Sequence, residues 1–254
     1  MEYSISIKRR KRNEKVSYIQ EFIYNTDSEN DTVATALTNL NLRDNLMDIH
    51  GNHTSRIEWE CSCLQKKCGA CAMVINGRPG LACRAKLKDY KKKKISLEPL
   101  RKFPVVADLM VDRSILYENL KTLTLWLRKD IDGKKDDPEF GTMLCEKDSN
   151  MAYTASECIQ CGCCLEVCPN FYPGGSFFGM STVPVTTRLL TEMSSADIKK
   201  IAKGYMEYVY EGCGKSLACM DICPRKIPTD KQMVNSNALI FWKKRLTIKS
   251  QEKK

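Results

Sequence analysis

Fourteen of the 254 residues are cysteine, and all but Cys145 fall into three tight groups: Cys61, Cys63, Cys68, Cys71 and Cys83; Cys158, Cys161, Cys163, Cys164 and Cys168; and Cys213, Cys219 and Cys223. Residues 84–144 hold none. A secreted disulfide scaffold is short, with cysteines spread along it, whereas clustered thiols are the pattern of soft ligands for a metal. Metal chemistry is therefore the expectation for this chain.

The spacing within each group narrows the metal. Cys63-x4-Cys68-x2-Cys71-x11-Cys83 is the plant-type ferredoxin pattern, three thiolates from one loop and a fourth from further on, which holds a [2Fe–2S] cluster. Such a loop must turn sharply, and the small residues Gly69, Ala70 and Ala72 would let backbone N–H groups reach the sulfurs. A structural zinc site is the alternative. Zinc more often takes two Cys-x2-Cys knuckles, and this segment has one.

Cys158-x2-Cys161-x2-Cys164-x3-Cys168-Pro169 is the bacterial ferredoxin run, whose fourth cysteine serves the other cluster of a pair. Cys213-x5-Cys219-x3-Cys223-Pro224 is the same run with Ser216 where the second cysteine would stand. Exchanging the fourth cysteines places Cys158, Cys161, Cys164 and Cys223 around a [4Fe–4S] cluster. Cys168, Cys213 and Cys219 remain, three thiolates suited to [3Fe–4S]. Cys61, Cys145 and Cys163 are left over and are expected to be small buried hydrophobes or bystanders. His50 and His53 are the only histidines, in a polar loop, and are expected to be surface residues. No residue has the setting of a substrate-level catalyst.

Elements must position these loops. Tyr3–Lys8 and Ser17–Tyr24 alternate like strands, joined by the charged turn Arg9–Lys15; Met73–Ile75 followed by Asn76-Gly77 is a hairpin signal; Ile95–Leu97 is a further strand. Thr32–Met47 has helical spacing with Asp31 as expected N-cap, and Ile57–Trp59 precedes the cysteine loop. A small sheet with one helix packed on it is the expectation for the first part. From Pro104 the apolar residues Val105, Val106, Leu109, Met110, Leu116, Leu120, Leu123 and Leu127 form a helical stripe to about Lys129. A second helix is expected over Ala196–Tyr210, with Ser194 and Asp197 as a capping box. The second half thus reads as mostly helical, and the domains as 1–104 and 105–254.

The net charge is +10, concentrated in the first half, and a basic protein can serve nucleic acid. Each cysteine-bound cluster adds about −2, however, so three would leave roughly +4. The runs Arg9–Arg12 and Lys91–Lys94 lack interleaved aromatics for base stacking and read as solvated turns, which leaves no nucleic-acid partner in the expectation. No apolar run approaches the roughly 18 residues of a membrane span, and no apolar stretch follows the basic N-terminus as in a secretory signal.

Taken together, SCLQKKCGACAMVINGRPGLAC (62–83), FPVVADLMVD (103–112), CIQCGCCLEVCP and CGKSLACMDICP resemble the iron–sulfur subunit of the succinate dehydrogenase/fumarate reductase family over nearly the whole chain, the extra Cys163 included. The resemblance implies an α+β protein: an N-terminal β-grasp domain, an inter-domain helix at 103–112 and an all-α ferredoxin-type domain. It also implies one-electron transfer between a FAD-containing flavoprotein subunit and a quinone-binding membrane anchor. The electrons would run in the order FAD, [2Fe–2S], [4Fe–4S], [3Fe–4S], quinone, with the chain peripheral on the cytoplasmic face of the plasma membrane. Where many ubiquinone-linked members carry a Trp pair and a His, this chain has Tyr172-Pro173 and Gly214. CGKSLACMDICP is closer to menaquinone-linked members. A soluble carrier, or a subunit serving another flavoprotein reductase, would share the same cysteines.

Overall fold

The structure is a computed structural model that describes residues 1–124, 146–192 and 201–251. It divides into two units, Met1–Arg113 with Ile159–Val167, and Ser114–Cys158 with Cys168–Lys254.

The first unit is built on a five-stranded sheet in the order β2-β1-β5-β3-β4, from β1 Glu2–Arg9, β2 Tyr18–Asn25, β3 Ala72–Ile75, β4 Arg78–Leu81 and β5 Lys94–Glu98. Alternation decides which residues face inward: Ile5 and Ile7 of β1 are fully buried and stand opposite Ile95 and Leu97 of the parallel β5. The other pairings are antiparallel. Asn76 and Gly77 both take the left-handed conformation (φ 48° and 77°) that a two-residue turn between β3 and β4 requires.

Helix α1 (Val33–Asn41) buries Val33, Ala36, Leu37 and Leu40. Its cap is Thr32, not Asp31: Thr32 and Thr35 exchange backbone-to-hydroxyl bonds at 3.1 and 3.3 Å. Asp31 instead accepts the hydroxyls of Tyr24 and Thr26 at 2.7 and 2.6 Å. Leu46, expected within the helix, is buried beyond its end.

The expected helix from Pro104 is corrected in its first third. Val105–Ala107 (β6) and Met110–Val111 (β7) form a hairpin, with Asp108 left-handed at φ 41°. The carboxylate of Asp108 accepts from Arg9, from the backbone N–H of Arg10 at 3.0 Å and from that of Glu58 at 2.9 Å, which anchors the turn. The helix begins only at α2 (Ser114–Thr122), and residues 125–129 of the expected stripe lie outside the described residues. Residues 105–113 accordingly lie in the first unit. Arg9, expected in a solvated turn, is 2% exposed.

Residues 159–167 also lie in the first unit, and α4 is Cys163–Val167. Buried Glu166 accepts from Arg101 Nε at 3.1 Å and from the Lys102 backbone N–H at 3.0 Å. Gly162 lies against the Phe103 ring, which a Cβ would approach to 2.8 Å.

Helices dominate the second unit. α3 (Glu146–Ser156) and the long helix Thr229–Gln251 both pack on α5 (Val183–Glu192). Thr187 and Ser236, both buried, share a hydroxyl–hydroxyl bond of 2.8 Å. Of the helix expected over Ala196–Tyr210, residues 201–205 are α-helical and Met206–Tyr210 widen into a π-turn. Ile201, Tyr205 and Val209 face inward. The Ser194–Asp197 capping box lies outside the described residues.

Candidate metal centres

The loop between Cys61 and β3 is wound by left-handed residues, Leu64 (φ 51°), Lys66 (φ 65°) and Gly69 (φ 79°). Successive turns of this kind point backbone N–H groups inward and make an anion-binding concavity. Here the N–H groups of Gln65 and Lys67 donate to Cys63 Sγ at 3.3 and 3.4 Å. With help from the Cys68 thiol they bring Cys63 down to about 7 from the ordinary thiol range. Burial, with Cys83 beside it, pushes Cys71 up to about 12.

The loop thus offers two thiol pairs. Cys63 bonds with Cys68. Cys71 bonds with Cys83, and Cys68 lies within electrostatic reach of Cys71. The hairpin makes the second pair: Cys71 stands directly before β3, Cys83 two residues after β4, and the Ala82 N–H closes on the Cys71 carbonyl at 3.0 Å. The small residues also meet other parts of the chain. Gly69 is small because a Cβ would stand 2.9 Å from the Cys161 Cβ and 2.9 Å from the Ile159 carbonyl oxygen. The Ala70 and Ala72 carbonyls accept from Arg113. Two thiol pairs in a loop that aims N–H groups at sulfur fit an anionic two-iron cluster.

In the next motif Gln160 (φ 48°) and Gly162 (φ 84°) bend the chain around half-buried Cys161 and Cys164. Cys163, expected to be a small buried hydrophobe or a bystander, is fully buried, and it also bonds the Cys161 sulfur. That bond, working against burial and assisted by the Cys163 N–H and the Arg113 charge, sets Cys161 at about 7. The bond to Cys161 and burial hold Cys163 well above the ordinary thiol range. Its place between two motif cysteines was the one signal for this role. Of the other cysteines outside the motifs, Cys61 is exposed, and Cys145 lies outside the described residues.

The second unit brings Cys168, Cys213 and Cys219 to one cavity, with Ser216, Phe177 and Met233 among its walls. Lys215 (φ 55°) and Leu217 (φ 57°) flank Ser216 and turn the loop around it. Cys213 Sγ lies 3.5 Å from Met233 Sδ, and Cys219 Sγ lies 3.9 Å from the Thr229 hydroxyl. Burial raises Cys219, partly offset by that hydroxyl, and Cys168 and Cys213 act on it in the same direction as burial. Three thiols and a serine line one concavity. Cys158 follows α3 and Cys223 caps the helix Ala218–Ile222; both are half-buried. Tyr172 is exposed, and Gly214 packs against Asn170, whose side chain holds the Gly212 carbonyl at 2.7 Å. His50 and His53 are exposed, as expected.

Residues 4–118 match the family of 2Fe-2S iron-sulfur cluster binding domains and residues 154–227 that of 4Fe-4S dicluster domains. The succinate dehydrogenase iron-sulfur subunit of Bacillus subtilis is 37% identical over 193 residues, covering 74% of each chain. This chain belongs to the succinate dehydrogenase/fumarate reductase iron–sulfur subunit family. The fumarate reductase iron-sulfur subunit of Wolinella succinogenes is 28% identical over 185 residues, 70% of this chain and 74% of that one. A chain of the Mycobacterium smegmatis Sdh1 complex in the apo form shares the fold, with a TM-score of 0.68 at 21% identity over 98% of this chain and 96% of that chain. The α+β architecture, a mixed-sheet 2Fe-2S unit followed by a helical dicluster unit, is the family's. As an iron–sulfur subunit of a succinate:quinone oxidoreductase family complex, this chain transfers electrons. Among the described residues no helix is long and apolar enough to cross a membrane.

Proposed function

We propose that this subunit carries single electrons between a FAD-containing flavoprotein subunit and a quinone held by membrane-anchor subunits, peripheral on the cytoplasmic face of the plasma membrane. Cys63, Cys68, Cys71 and Cys83 would hold [2Fe–2S]; Cys158, Cys161, Cys164 and Cys223 [4Fe–4S]; and Cys168, Cys213 and Cys219 [3Fe–4S]. The clusters, when bound, supply the one-electron steps. The chain's residues hold the thiolates, donate N–H groups to Cys63 and keep two ligand loops in contact at Gly69 and Cys161. Acid–base chemistry on a dicarboxylate falls to the flavoprotein. The resemblance of CGKSLACMDICP to menaquinone-linked members supports menaquinone as that quinone.

The observation that carries this reading is the cavity lined by Cys168, Cys213, Cys219 and Ser216, a three-thiolate site in a four-thiolate motif. Iron and sulfide analysis of the anaerobically purified complex tests it. About nine irons and the EPR signal of an oxidised three-iron cluster are expected. About four irons, or stoichiometric zinc, would overturn it.

A further inference from the structure

One half-buried cation in the first unit borders two of the cysteine loops. Arg113 stands two residues after β7, and its side chain is 14% exposed. Its Nη2 donates to the carbonyls of Ala70 at 3.0 Å and Ala72 at 3.2 Å, the two residues on either side of Cys71. Its Nη1 pairs with Glu60, just upstream of the same loop. Its Nε–H is buried and has no acceptor among the described residues. The guanidinium also lies within electrostatic reach of Cys161. The two ligand loops it borders meet each other, since a Cβ on Gly69 would come within 2.9 Å of the Cys161 Cβ.

A guanidinium carries five N–H donors, and three of those on Arg113 make the contacts above. The carbonyls of Ala70 and Ala72 accept hydrogen bonds but cancel no charge. Glu60, half-exposed, is the single carboxylate paired with it among the described residues. A partly uncancelled positive charge therefore sits at low exposure beside two groups of sulfur ligands. Each cluster gains one negative charge on reduction, and a fixed cation in partly buried surroundings favours the more negative form.

We propose that Arg113 is a positioning residue shared by the [2Fe–2S] and [4Fe–4S] centres: it braces the backbone on both sides of Cys71 and biases both centres toward their reduced forms. The proposal rests on the cluster assignment above. It also gives the Gly69–Cys161 contact a use, because electrons crossing there pass between two centres whose potentials one charge adjusts together.

EPR-monitored redox titration of the anaerobically purified complex tests it, comparing wild type with Arg113→Met, Arg113→Lys and Glu60→Gln. Arg113→Met should lower the reduction equilibrium of both centres roughly tenfold, about 59 mV for a one-electron couple. Arg113→Lys, which keeps the charge, should stay near wild type. Glu60→Gln removes the opposing carboxylate and should move both midpoints the other way. General damage to the fold would not produce shifts of opposite sign. Unmoved midpoints in Arg113→Met, or a Glu60→Gln shift in the same direction, would overturn the proposal while the cluster assignment stands. Should Arg113→Met fail to assemble, the sign of the Glu60→Gln shift decides alone. Wild type lacking both signals would overturn the assignment and the proposal together.

Discussion

Arg9 and Asp108 close a buried ion pair at 2.9 Å across 99 residues of sequence. The guanidinium also reaches the side chains of Gln20 and Thr54, at 2.8 and 2.7 Å, and the carbonyls of Ser55 and Arg56, at 3.0 and 2.9 Å. One side chain thereby joins β1, β2, the β6–β7 turn and the segment leading into the first cysteine loop. Breaking one partner of such a pair leaves the other buried and uncompensated, at a cost of about 3–5 kcal/mol. Arg9→Met is expected to lose stability of that order in urea unfolding followed by circular dichroism. A loss below about 1 kcal/mol would show that the pair does not hold these segments together.

The two ends of the first cysteine loop differ in acidity, and this is testable in the iron-free protein. The thiolate is the reactive form. Cys63, brought to about 7 by the Gln65 and Lys67 N–H groups, should alkylate with iodoacetamide at a rate that rises through neutral pH and levels off above it. Cys71, pushed up to about 12 by burial, should stay protonated and slow across the same range. Mass spectrometry of peptides labelled near neutral pH gives the order. Equal labelling of both would contradict the loop geometry.

Gly69 and Gly77 share a backbone conformation, with φ of 79° and 77°, but not surroundings. A Cβ at Gly77 meets nothing within 4 Å, whereas one at Gly69 stands 2.9 Å from Cys161 Cβ. Gly77→Ala should therefore cost only the left-handed backbone penalty, about 1–2 kcal/mol. Gly69→Ala adds overpacking and should cost about 3 kcal/mol in total. It should also lower iron content, because both ligand loops must shift. Equal destabilisation by the two variants would mean that the loops do not meet as described.

Local signals were legible where they were sufficient by themselves. Asn76-Gly77 announces its turn because few other pairs accept left-handed backbone twice in succession. The cysteine spacings announce their loops because the reach of the chain around a cluster is short. Long-range competition hid the rest. Asp31 has the chemistry of an N-cap, but Tyr24 and Thr26 claim its carboxylate and leave the cap to Thr32. Residues 105–111 have helical spacing, yet Asp108 is taken by Arg9, which the sequence places in a charged run indistinguishable from a solvated turn. Arg113 carries no motif at all, and only the folded chain puts it beside Ala70 and Ala72. Cys163 reads as filler until its sulfur is seen against that of Cys161.

Ser216 provides the sharpest test of the three-iron assignment. It shares a cavity wall with Cys168, Cys213 and Cys219, at the motif position where a four-iron site would present a cysteine. A serine hydroxyl is a hard ligand that stays protonated at neutral pH, whereas iron–sulfur clusters are held by soft thiolates. The backbone is already shaped for a ligand, since left-handed Lys215 and Leu217 turn the loop on either side of position 216. Ser216→Cys changes one atom and restores Cys-x2-Cys-x2-Cys. It should admit one further iron, remove the EPR signal of the oxidised three-iron cluster and lower the midpoint potential at this site. Quinone-coupled turnover should then fall more than dye reduction at the flavin end, because the proposed route puts the perturbed centre next to quinone. Unchanged iron content in a folded Ser216→Cys complex would mean that residue 216 does not stand at the empty corner, and the ligand set Cys168, Cys213 and Cys219 would have to be redrawn.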